Sequence, residues 1–180
     1  VHNRTPRIPD QLVPNRAELD ARFTVELASV VTGARRRALR DGDRQIDTAH
    51  LLHSLIETDP DVREAFDGGP RLARILGYLV QRSIGYGLRW QGSVEDSGAV
   101  PAVGEPAADG WSPSAVAAME GALDRALVRG EPRVAGLDLL AALACDKQCR
   151  AMEVLARAGV DAGWLAGRAA ELTTGSSRQA

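Results

Sequence analysis

Lysine is almost missing from this chain: of its 22 basic residues, Lys147 alone is not arginine. A phosphate-cradling loop of the G-x-x-x-x-G-K-[ST] kind needs lysine directly after glycine, and Lys147 follows Asp146, so ATP hydrolysis of that type is excluded. No H-E-x-x-H helix and no G-x-S-x-G elbow occurs either, which argues against zinc peptidase and serine hydrolase chemistry. No run of about 18 apolar residues and no hydrophobic leader core is present, so the reading predicts neither a membrane span nor a secretory leader, and a cytoplasmic location. Cysteine is scarce. Cys145 and Cys149 stand four apart in what reads as one helix face, without a second pair or a nearby histidine, and are expected to be plain thiols in a reducing compartment. Of the histidines His2, His50 and His53, the last two share a helix face, yet nothing in sequence completes a zinc site. They are read as structural, one near the helix start and one on a solvated face, and no metal or cofactor is expected. A net charge of −2 offers nucleic acid no whole-chain attraction.

What the chain has is a stretch of itself twice, 88 residues apart. Residues 23–55 lie without a gap over residues 111–143. Gly33, Arg37, Leu39, Gly42, Leu51, Leu52 and Leu55 fall on Gly121, Arg125, Leu127, Gly130, Leu139, Leu140 and Leu143, and Phe23-Thr24 falls on Trp111-Ser112. A tandem repeat predicts a two-lobed scaffold with a seam between the lobes.

Within the first copy, Thr24 caps a helix whose stripe is Leu27, Val30, Val31, Ala34 and Ala38 and whose stop is Gly42. Asp47-Thr48 opens a second helix that closes near Pro60. A short third carries Val62, Ala65 and Phe66 and ends at Gly68-Gly69-Pro70, and a fourth runs from Leu72 toward Ile84. Ser112-Pro113 opens the second set, continued by Leu137–Leu143, a short helix around Met152 and Leu155, and a last helix with Trp164 and Leu165. The expected organisation is an irregular arm over 1–22, a first repeat over 23–86, a Gly/Ala/Pro-rich linker over 87–110, a second repeat over 111–172 and a disordered tail over 173–180. Trp90, a large ring in the linker, is expected to dock on a lobe.

Phe-Thr opening an arginine-rich helix, Ile-Asp-Thr-Ala-His-Leu-Leu-His-Ser-Leu, a second copy opening Trp-Ser-Pro and the turn Gly159-Val160-Asp161 together resemble the double Clp N-terminal repeat, over about residues 23–172. The resemblance implies an all-α fold of eight helices in two four-helix units related by a pseudo-twofold axis. It also implies a docking role without chemistry of its own, here with no ATPase modules in the chain. In the family the rings near the two helix starts lie close to an inter-repeat groove that takes peptides, adaptors and some cyclic-peptide antibiotics. By that likeness the groove residues here are Phe23, Thr24, Thr48, Ala49, Trp111, Ser112, Gly136 and Leu137. The family's T-E-H glutamate, linked in some members to phosphorylated arginine, is replaced by Ala49 and Leu137, neither of which can accept a guanidinium fork. Thr48 keeps a helix-capping role. Phe23 and Trp111 also fit staples against their own helices.

The leading expectation is therefore a stand-alone protein- or peptide-binding module. Its partners would be a Clp adaptor, a substrate protein, a Clp ATPase or a small peptide-like ligand, and it would modulate Clp-dependent proteolysis by competition. The alternative is a nucleic-acid-linked regulator using the arginine-rich first helix and the N-terminal arm, against which the overall acidity argues; the Arg35-Arg36-Arg37 run itself reads first as a solvated helix face and second as a docking patch for acidic partners. Peptidase activity lacks any constellation to perform it.

Overall fold

The computed structural model describes residues 21–43, 45–83, 95 and 110–178. The expectations for residues 1–20, for Trp90 and for most of the linker fall outside them. The described residues form an all-α fold: α1 (Val25–Asp41), α2 (Thr48–Thr58), α3 (Pro60–Ala65), α4 (Gly69–Ser83), α5 (Pro113–Val128), α6 (Gly136–Cys145), α7 (Arg150–Arg157) and α8 (Ala162–Ser177).

The positions shared by the two copies build equivalent local structure. The side chains of Thr24 and Ser112 accept hydrogen bonds from the Leu27 and Ala115 amides, closing the open N-termini of α1 and α5. Gly42 and Gly130, at φ 72° and 71°, take the left-handed turn that a side chain would strain. Gly33 and Gly121 serve a close crossing of the first helix over the second. A Cβ at Gly33 would meet Ser54 Oγ at 2.5 Å, and one at Gly121 would meet Ala142, the residue equivalent to Ser54, at 3.3 Å.

The two copies are interlocked more than a two-lobed scaffold requires. α3 packs on α6 and α8, while α7 packs on α2 and α4, so the short third helix of each copy belongs to the other copy's core. The buried residues form one cluster drawn from both copies, with Leu27, Leu51, Leu52, Leu55, Phe66, Leu139, Leu140, Leu143 and Leu155 fully enclosed. Each such side chain contributes roughly 2 kcal/mol on burial, so the shared core dominates the stability of both copies. Paired short bridges stitch the seam. The Thr24 amide donates to Val134 O (3.0 Å) and the Val134 amide to Arg22 O (2.7 Å). Under the 88-residue offset these become Ser112 N to Ile46 O (2.9 Å) and Ile46 N to Gly110 O (2.6 Å).

Several element boundaries differ from the sequence reading. Gly69-Pro70 opens α4 instead of ending α3, since proline is tolerated in a first helical turn, and the chain reverses at Asp67 and Gly68 with positive φ. The described part of the expected tail is helical: α8 continues to Ser177, with the Thr173 and Thr174 hydroxyls bonded to the carbonyls of Ala169 and Ala170 one turn back. Cys145 and Cys149 do not share a helix face, because α6 ends at the exposed Cys145 and the buried Cys149 is the N-cap of α7. Among the described residues no helix is long and apolar enough to cross a membrane.

Candidate functional site

The eight residues singled out in sequence separate into two groups. Trp111-Ser112 lies against Ile46 and hence beside Thr48-Ala49, and Phe23-Thr24 lies against Val134 and hence beside Gly136-Leu137. The seam thus has two equivalent ends, each made from the start of one copy and the second helix of the other. Ala49, Thr48, Ser112, Gly136 and Leu137 are buried, Trp111 and Thr24 half-buried, and Phe23 nearly covered.

At the first end the buried carboxylate of Glu95, from between the copies, is held by hydrogen bonds from both. One oxygen accepts from the Thr48 amide (2.9 Å) and the Ser112 hydroxyl (2.8 Å), the other from the Thr48 hydroxyl and the Arg150 amide (2.7 Å). Thr48 Oγ1 in turn accepts from the Ala151 amide at 3.0 Å. Thr48 is therefore the first residue of α2 and not its cap. Asp47 is the cap, accepting from His50 N at 2.9 Å, while the Thr48 hydroxyl caps α7 of the other copy. Asp47 is also ion-paired with Arg82 and with Arg150 (2.9 Å). Burial alone would raise the Asp47 carboxyl, but the bond from the His50 backbone amide and the Arg82 charge beside it outweigh that and hold the group well below the usual carboxylate range.

At the second end the place of the Thr48 side chain is vacated by Gly136 and taken by Asp59. A Cβ on Gly136 would lie 2.1 Å from Asp59 Oδ2. The other Asp59 oxygen caps α3 through the amides of Asp61 (2.9 Å) and Val62 (3.4 Å). Here burial wins: it pushes the Asp59 carboxyl up against those amide bonds, assisted by the charges of Asp61 and Glu26.

His50 and Asp138, the equivalent pair that differs most in chemistry, have the same task. Each sits at the third position of its helix and accepts the backbone N–H of the residue before the helix: Asp47 N to His50 Nδ1 at 3.0 Å, Ala135 N to Asp138 Oδ2 at 2.9 Å. The charges behind them are swapped to match. His50 Nε2 donates to Asp43 (2.8 Å) with Asp41 at 4.0 Å, whereas Asp138 is clasped by both guanidinium nitrogens of Arg129, the residue equivalent to Asp41. Asp41, Asp43 and His50 offer three ligand-type atoms within 4.8 Å of one another, and these are already engaged by Arg82 and by the Ser83 hydroxyl.

His53, expected on a solvated face, is buried and contacts Glu57 at 3.1 Å. Burial, with the Arg37 charge, lowers its pKa to about 4. Arg37 also pairs with Glu57, and its equivalent Arg125 reaches Cys145 Sγ at 3.0 Å, cysteine standing where the first copy has Glu57. Of the arginine run on α1, Arg36 is exposed while Arg35 and Arg37 are half-covered.

The described residues line at least two surface clefts. One of about 410 Å³ lies at the second seam end, walled by Phe23, Thr24, Val25, Ala28, Arg36 and Arg133. The other, about 870 Å³, lies on the outer face of the second copy between α5, α6 and α8, lined largely by small residues such as Ala118, Gly121, Ala142 and Ala170. Sequence reasoning missed Glu95, Asp59 and Arg133 at the seam, and it singled out Arg36 only as part of the arginine run. Asp59 carried a signal, since Asp before Pro60 marks a helix start. Glu95 carried none, being one acidic residue in an aperiodic stretch.

The fold is that of the Clp N-terminal domain. Among solved structures the chain is similar to the N-terminal domain of the caseinolytic protease associated chaperone ClpD from Arabidopsis thaliana, with a TM-score of 0.57 and 21% identity, covering 85% of this chain and 95% of that one. It is similar to the Hsp104 N-terminal domain from Candida albicans, with a TM-score of 0.61 and 18% identity over 84% and 91% of the two chains. A third likeness is to a structure from a malarial protein secretion system, at 0.58 and 14% identity over 83% and 93%. No family model and no curated protein matches the sequence.

Proposed function

We propose that this chain is a protein-binding module that holds an adaptor or substrate segment at the Phe23–Thr24 end of the seam, and so competes for ligands of a Clp unfoldase–protease. The observation that carries the reading is the difference in access between the two ends. The first is filled by the chain's own Glu95, whereas the second opens into the 410 Å³ cleft, beside which Val25 is 72% exposed. Phe23, Val25 and Ala28 suit an apolar side chain, and Arg36 and Arg133 suit a carboxylate next to it. The shared fold with chaperone N-terminal domains supports the same reading. Phosphorylated arginine is not the expected ligand, because buried Ala49 and Leu137 offer its guanidinium no carboxylate.

The test is a competition assay in which excess purified protein is added to a Clp chaperone and a fluorescent adaptor or substrate segment, paired with an amide NMR titration. The expected result is displacement, shifts centred on Phe23, Thr24, Val25 and Arg133, and at least tenfold weaker binding for Arg36→Glu/Arg133→Glu. No displacement at excess, or shifts confined to the α5–α6–α8 face, overturns it.

A further inference from the structure

The first end of the seam is a built receptor for a carboxylate. Thr48 and Ser112 are fully buried, and their hydroxyls are oriented by other bonds: Thr48 Oγ1 accepts from the Ala151 amide and Ser112 Oγ from the Ala115 amide, so each hydroxyl hydrogen is left to point at the Glu95 carboxylate. The starts of three helices converge there, α2 through the Thr48 amide, α5 through its cap Ser112 and α7 through the Arg150 amide, so the partial positive charge of each is directed at the same group. α7 has a cysteine at its N-cap with no side-chain cap bond, and its first two amides are taken instead by Glu95 (Arg150 N) and the Thr48 hydroxyl (Ala151 N).

The donors are divided two to each oxygen. A planar group with two oxygens satisfies all of them. A tetrahedral oxyanion brings at least one further charged oxygen into a fully buried space, where an oxygen without a donor is costly. The selectivity built into the site is thus for carboxylate over phosphate.

We propose that this seam end is a carboxylate-binding site whose resident ligand is Glu95, and that it accepts a free carboxylate of the glutamate side-chain type when Glu95 is removed. Glu95 thereby joins both copies through a contact that behaves as binding.

The experiment uses the full chain with Glu95→Ala and propionate, which has the size of the missing side-chain terminus, as probe. Amide NMR follows Thr48, Ser112 and Arg150, with phosphate at equal ionic strength as the comparison arm. The expected result is saturable shifts at these three amides with millimolar propionate, at least tenfold weaker response to phosphate, and a Tm raised by propionate in the variant but not in the wild type. Equal or stronger response to phosphate, or no saturable response in the folded variant, overturns the proposal. Should Glu95→Ala fail to fold, Glu95→Gln decides. It keeps the size but presents an NH2 to two of the donors, and hydrogen-exchange protection of the Thr48 and Arg150 amides is expected to fall at least tenfold. Unchanged protection overturns the proposal.

Discussion

The two ends of the seam start from equivalent backbone and are completed by different means. At one, Thr48 fills its own space and Glu95 arrives from between the copies. At the other, Gly136 leaves that space to Asp59 from the same copy as Phe23. Asp47, beside His50 and Arg82, is held strongly ionised, while Asp59 has its carboxyl pushed up by burial. The comparison teaches that a duplicated fold constrains where polar groups must be satisfied and leaves open which residue satisfies them. One end has become a closed polar joint and the other keeps a cleft.

The most disruptive way to break this difference is to give the second end the side chain of the first. Gly136→Ala places a Cβ 2.1 Å from Asp59 Oδ2 and 3.3 Å from a Leu55 methyl, so Asp59 must leave and α3 loses its cap. The expected loss is about 3 kcal/mol, the sum of overpacking and a lost cap, read by urea denaturation. In an Asp59→Ser background, where a shorter cap leaves room, the added cost of Gly136→Ala is expected to fall below about 1 kcal/mol, and a cost that stays the same contradicts the displacement argument. The reciprocal change, Thr48→Val, retains shape at the first end but strands the Ala151 amide and removes a donor from Glu95. It is expected to cost about 2 kcal/mol.

These outcomes depend on features of unequal legibility. The fold was readable because the positions that recur, Gly33/Gly121, Gly42/Gly130 and Thr24/Ser112, are determined by local backbone needs that leave the same residue types in both copies. The seam was only half readable. The likeness of Phe23-Thr24 to Trp111-Ser112 pointed to it, but which start pairs with which second helix is a matter of chain crossing that no residue type records. The exchange of His50 for Asp138 is, in sequence, a change of side-chain chemistry between the two copies. It is a compensated structural pair, and the signal lay one turn of argument away in Asp41 and Arg129, which are also 88 residues apart and reverse charge together with it.

A smaller difference separates the copies in acid. His53 is buried with its pKa lowered to about 4, and the equivalent residue in the second copy is Ala141. Between pH 6.5 and 4 the unfolded chain takes up a proton that the folded chain refuses, so stability is at its full value above about pH 6.5 and falls as pH drops toward 4. The drop from this group is about 3 kcal/mol at most, by the linkage of pKa shift to free energy. His53→Ala, which copies the second repeat, is expected to lower stability at pH 7 through the cavity it leaves, yet to flatten the pH dependence between 6.5 and 4. An undiminished slope in chemical denaturation across that window assigns the titration elsewhere. Below that window the Asp47 carboxyl, held low in the fold, gives stability that is present above pH 3.8 and lost on further acidification.

The slightest effect concerns the ends of the second helices, where Glu57 in the first copy is matched by Cys145 in the second. Arg37 pairs with Glu57 at the surface, and Arg125 meets the Cys145 thiol. Cys145→Glu restores the first copy's pair in the second, but the gain of a half-exposed ion pair is about 0.5 kcal/mol, and a carboxylate in the last turn of α6 opposes the helix dipole by a similar amount. The expected change in stability is therefore near zero. The same two residues differ much more in reactivity. Cys145 is exposed beside a guanidinium, whereas Cys149 is fully enclosed with its thiol pushed up to about 12, chiefly by burial. Under native conditions a maleimide is expected to modify one thiol per chain, lost in Cys145→Ser, while the second reacts only after denaturant is added. Two fast modifications in the native protein would mean that α7 opens readily from its Glu95-capped start. The copy-to-copy difference would then lie in local stability as well as in chemistry.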